Sequence, residues 1–173
     1  LHKAVAKLLD DNRLDPEIRS RLARAMTQSN STTHRTKALE VLLSADEGAD
    51  KVFALSLIRE KHITGHSESV VRHIGSDDSD IRDHAIKVAG ALKLEAAVVP
   101  MANLSDGDSA VAKLAKTELV TVLIGLGLNR IETYAGHSDP KIRAAALHAL
   151  GASGSGGSTR IRRILLDRIT DKD

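Results

Sequence analysis

Apolar residues recur along this chain at helical spacing, and the same pattern returns about every thirty residues. The clearest copy runs from Ser138 to Gly151: Ile142, Ala146, Ala149 and Leu150 fall on one face of a helix. Asp139 stands where an N-cap carboxylate accepts from free backbone N–H groups. Pro140 follows at the first helical position, where its missing N–H costs nothing, and Gly151 can close the helix in a left-handed conformation. Aligned on an apolar residue three positions after the helix-start position, the anchors are Ile18, Val52, Ile81, Val111 and Ile142, at intervals of 34, 29, 30 and 31 residues. The start positions are Asp15, Ala49, Asp78, Asp108 and Asp139, and the residues after the anchors are Arg19, Phe53, Arg82, Ala112 and Arg143. Such a period indicates stacked units rather than one globular core.

Each unit has room for two helices. The first helices are predicted over 16–26, 50–60, 79–92, 109–124 and 140–150. The second helices are predicted over 36–43, 68–74, 95–104, 129–135 and, in the fifth unit, from residue 158 onward, where Ile161, Ile164, Leu165 and Ile169 share a stripe. Pro100 should kink or shorten the third of these. Residues 2–10 read as a second helix lacking its first. We therefore expect one all-α solenoid over 1–173, of about five helix pairs plus a partial N-terminal unit, cut from a longer protein.

The pattern Asp-Pro-x-Ile-Arg-x-x-Ala-x-x-x-Leu-Gly resembles the short, phycobilisome-lyase type of HEAT-like repeat. Residues 138–151 match it most closely, 76–92 match well, and 14–26 match in part. The resemblance implies a right-handed α-α superhelix of the armadillo-like kind, with the second helices on its concave side. It also implies protein–protein interaction as the role. The recurring residues then read as framework. Asp15, Asp78, Asp108 and Asp139 would cap the first helices. Arg19, Arg82 and Arg143 would reach aspartates of neighbouring units in a charge-assisted ladder.

Composition narrows the functional classes. One Phe, one Tyr and no Trp in 173 residues suit thin layers of closely packed helices better than a thick aromatic core. Without cysteine, disulfides, thiolate metal sites and a Cys nucleophile are excluded. A net charge of +2 is too small to argue for nucleic acid. The longest nearly apolar run, 119–128, is half the length of a membrane span, and no signal peptide is visible. The cytoplasm is the favoured compartment.

Candidate chemistry is thin. His62 and His66 have the i,i+4 spacing of a ligand pair, but Thr64 and Gly65 between them read as loop and no third ligand is evident. The iron-holding HEAT-like hydroxylases use His-Glu dipeptides, which this chain lacks. Gly151-x-x-x-x-Gly156-Gly157-Ser158 has Gly where a phosphate loop needs Lys, and it follows a helix rather than a strand. HEAT-like DNA glycosylases depend on an aromatic cleft, and Tyr134 is the one aromatic expected on a second helix. No catalytic constellation, metal or cofactor is assigned, and the chain is read as a non-enzyme. Its partner is expected to be another protein, met by Arg72, Arg130, Tyr134, Arg160 and Arg163 on the second helices, because Arg and Tyr favour interface hot spots. The alternative is a nucleic-acid or phosphoryl ligand held by the concave and C-terminal arginines. It is disfavoured because Glu40, Glu95, Glu132 and Asp167 interrupt the basic residues. The uncapped N-terminal half unit leaves room for self-association.

Overall fold

The computed structural model describes residues 7–11 and 13–153. These residues are all-helical, with helices packed against one another and no strand among them. In chain order they form α1 (Pro16–Met26), α2 (Thr32–Leu43), α3 (Gly48–Glu60), α4 (Ser67–Ile74) and α5 (Ser79–Leu92). A 3₁₀ turn (Glu95–Ala97) leads into α6 (Val98–Leu104), followed by α7 (Ala110–Leu126), α8 (Leu128–Ala135) and α9 (Pro140–Ala152). Residues 7–9 are also helical, with Leu9 buried. The chain divides into two compact units, Leu1–Val88 and Ala89–Asp173, and the division falls within α5.

In the first unit α2 packs against α1 and α3. Its core is Ala38, Leu39 and Leu42 with Ala54, Leu55 and Ile58, joined by Val70, Ile74, Ile81, Ala85 and Ile86. In the second unit α7 packs against α6, α8 and α9, and α9 also rests on α8 and α6. Its core is Met101, Ala115, Leu119, Leu123, Ile131, Ile142, Ala146 and Leu150. Neither Phe53 nor Tyr134 belongs to these cores.

Local chemistry sets the helix ends. Asp15 Oδ1 accepts from the N–H groups of Glu17 and Ile18 at 2.9 and 3.2 Å. Asp78 Oδ1 accepts from Asp80 and Ile81 at the same distances, and Asp139 Oδ1 accepts from Lys141 at 2.8 Å. At α7 the expectation fails. Asp108 is exposed, and Ser109 is the cap, its hydroxyl accepting from Ala112 N–H at 3.2 Å. A Ser directly beside an Asp offers the turn two candidate caps, and α7 begins one residue later than an Asp108 cap would place it.

Pro100 shortens its helix, as expected: the segment splits into the 3₁₀ turn and α6, which puts Pro100 in a first turn where no N–H is needed. Three further differences have physical causes. Gly151 does not close α9. The helix runs on to Ala152, and the Ser153 hydroxyl donates to the Leu150 carbonyl at 2.9 Å. Val52 is not the buried anchor of the second unit. Asp50 holds that place, 4% exposed, with Ala54, Leu55 and Ile58 following on its face. With Asp50 in the series the intervals become 32, 31, 30 and 31 residues. Finally, Ile18 is 50% exposed although it is in register with the buried Ala23 and Met26. It sits in the first turn of α1, and among the described residues only the short turn at 7–9 precedes that helix.

Gly127, at φ +85°, ends α7 and starts α8 within one residue, a conformation that L side chains rarely adopt. Lys93, at φ +55°, closes α5 in the position usually given to glycine, with Leu94 N–H donating to the Ala89 carbonyl at 3.0 Å.

The capping geometry makes a discriminating prediction. Asp139→Ala and Ser109→Ala should each lower unfolding free energy by about 1 kcal/mol, whereas Asp108→Ala should change it by less than about 0.5 kcal/mol. Denaturant titration followed by far-UV circular dichroism reads all three.

Candidate interaction site

Two polar arrangements stand out, one in each unit. In the first, the starts of α1 and α3 and the end of α2 enclose a groove of about 730 Å³, whose lining includes Leu14, Pro16, Val41, Ala45, Arg24 and Asp50. Asp50 is at its side because the repeat position that elsewhere holds Ile81 or Ile142 here holds a carboxylate. Burying that charge requires a partner. Arg24 supplies it from α1: its Nε donates to Asp50 Oδ1 at 2.6 Å, and a second nitrogen donates to the Ala49 carbonyl at 3.2 Å. The same guanidinium lies 4.6 Å from the centre of the Phe53 ring, within cation–π range. The chain's one Phe thus braces an ion pair. The other arginines of the groove are also engaged, Arg21 with Glu17 and Arg19 with the Leu9 carbonyl at 2.9 Å.

In the second unit two residues of one helix meet a carboxylate far from them in sequence. Glu95, in the 3₁₀ turn, accepts from the Tyr134 hydroxyl at 3.0 Å, and a guanidinium nitrogen of Arg130 lies 3.0 Å from the same carboxylate. Arg130 and Tyr134 are four residues apart, one turn of α8, so the helix presents both toward Glu95. Arg130 is exposed and Tyr134 half-buried. Burial, the bond to Glu95 and the negative charge of Glu95 all hold the phenol above its ordinary pKa of 10.0, partly opposed by Arg130.

The other expected residues are placed as follows. Arg72 is exposed on α4 and pairs with Glu68 one turn earlier at 3.3 Å. Arg160 and Arg163 lie outside the described residues. The arginines expected in the Asp–Arg ladder bond backbone carbonyls. Arg82 donates to the Ser76 carbonyl at 3.2 Å, and Arg143 to the carbonyls of His137 and Ser138 at 3.1 and 2.9 Å. With Arg19 on Leu9, these bonds tie each arginine to backbone carbonyls ahead of its own helix. His62 is exposed at φ +49° and His66 is buried. Among the described residues no group of three or more His, Asp or Glu could hold a metal ion. Among them too, no helix is long and apolar enough to cross a membrane.

Comparison with protein-family models finds no match, and comparison with curated proteins finds none.

The chain's single Tyr and lack of Trp make the second cluster directly observable. In a pH titration of tyrosinate absorbance, Tyr134 should ionise with a midpoint above 10.0. Glu95→Gln should bring the midpoint down toward that value, and Arg130→Met should raise it further. An unshifted midpoint that ignores Glu95→Gln would show that the contact does not persist in solution.

Proposed function

We propose that the chain is a protein-binding module, a HEAT-like α-solenoid that offers the second helix of each pair to another protein. The observation that carries this reading is the Glu95–Arg130–Tyr134 cluster. It fixes an Arg and a Tyr, the side chains most often found at the centre of interfaces, on one short helix before any partner arrives. Holding rotamer-rich side chains in place beforehand reduces the entropy lost on binding. Arg72 on α4 would contribute in the same way through its pairing with Glu68. The HEAT-like assignment rests on the repeated capped helix and its Asp, Ile and Arg positions. The more even spacing obtained with Asp50 strengthens it. In such a solenoid the second helices would line the concave side.

The rival reading, a nucleic-acid or phosphoryl ligand, draws less support from these residues. Arg72 and Arg130 each already face a carboxylate, and phosphate would have to displace it.

Site-specific photo-crosslinking tests the proposal in cells that express the full-length protein. Probes at Arg72, Arg130 and Tyr134 should give discrete protein adducts. Probes at Arg21 and Lys113, exposed on α1 and α7, should give none. Equal labelling from both sets would count against the second-helix face. A duplex gel shift that weakens steeply with salt would favour the rival.

A further inference from the structure

We propose that α4 is an acid-sensitive latch, held against the end of α2 while His66 and His73 are neutral and released when they are protonated. The two rings are seven residues apart, two helical turns, so they share one side of the segment with Val70 and Ile74, both fully buried. His66 directly precedes α4, is 5% exposed, and has a buried Nε2 with no hydrogen-bond partner among the described residues. His73 is half-buried, with Nε2 3.1 Å from the carbonyl of Leu43, the last residue of α2. For that bond Nε2–H must be the donor, which leaves Nδ1 bare in the neutral ring.

Protonation disturbs the two positions differently. At His66 it buries a cation beside a nitrogen that has no acceptor, a costly arrangement. The Glu40 carboxylate of α2 favours the charged ring, but burial outweighs it and holds the pKa below 6.5. At His73 burial again dominates. The Lys51 ammonium of α3 and the neighbouring Arg72 also oppose a second positive charge, and the Leu43 carbonyl counteracts them only in part. Once released into water, both rings return to about 6.5. The released form therefore binds more protons. Docking is fully stable above about pH 6.5 and weakens as pH falls through that value toward the lower pKa values of the docked rings.

An eight-residue helix does not persist alone in water, so release means local unfolding rather than a rigid swing. It would uncover Val70 and Ile74 and free the Leu43 carbonyl. An apolar segment would thus become available in mildly acidic surroundings.

Amide hydrogen exchange on the full chain between pH 7.5 and 5 tests the latch. After correction for intrinsic rates, protection of residues 70–74 should fall about tenfold for each unit by which a docked ring lies below its free value. In the double variant His66→Leu, His73→Gln this extra loss should vanish, because Gln can still donate to the Leu43 carbonyl but does not titrate. Wild-type protection independent of pH, or a loss retained in the double variant, would overturn the proposal. Should that variant not fold, an NMR titration of the two rings in the unsubstituted chain decides. Midpoints below about 6.5 that move together with the exchange rates support the latch, and midpoints at or above that value exclude it.

Discussion

How closely the helices of each unit approach one another is the constraint on which the rest depends. With almost no aromatic side chains, the chain cannot fill wide gaps, so its interior must be thin. Ala85, Ala115 and Ala146 meet this need from corresponding turns of α5, α7 and α9, all fully buried. Gly90 is buried under the Glu118 side chain of α7: a Cβ there would lie 3.3 Å from Glu118 Cβ. Small residues bring the backbones together, and Leu, Ile and Val around them supply most of the buried apolar surface. Helices packed this closely leave little slack at their ends. The Asp and Ser caps, the Gly127 break and the arginines clasping preceding carbonyls therefore recur with the packing.

Much of this architecture was legible in the sequence, because its signals are local. Asp15, Asp78 and Asp139 mark helix starts by chemistry that acts over two or three residues, and Pro16 and Pro140 agree with them. The failures arise where a local signal met competition. Val52 looked like an anchor because it is apolar. The buried residue is Asp50, made tolerable by Arg24 from another helix, 26 residues away. Ser109 displaced Asp108 as a cap by standing next to it, and Gly151 stayed helical, with Ser153 taking the C-cap position.

The candidate site was only half visible. Arg130 and Tyr134 could be picked out as one turn of a second helix, but Glu95 lies 35 and 39 residues from them, and no periodicity announces such a meeting. The histidines show the same limit from the other side. His62 and His66 attracted attention through metal-ligand spacing, whereas the structure pairs His66 with His73 through shared burial. Spacing along a helix can be read from a sequence, but the depth at which a side chain lies depends on what packs over it.

Equilibrium unfolding of single alanine variants at Ile18, Asp50, Val52, Ile81 and Ile142 tests the packing register most directly. Ile81→Ala and Ile142→Ala should each cost about 2–4 kcal/mol. Asp50→Ala should cost about 1–3 kcal/mol, less than a fully buried pair because Arg24 is partly exposed. Val52→Ala and Ile18→Ala should cost about 1 kcal/mol or less. A large loss at Val52 with none at Asp50 would contradict the register, and with it the close packing on which both units are built.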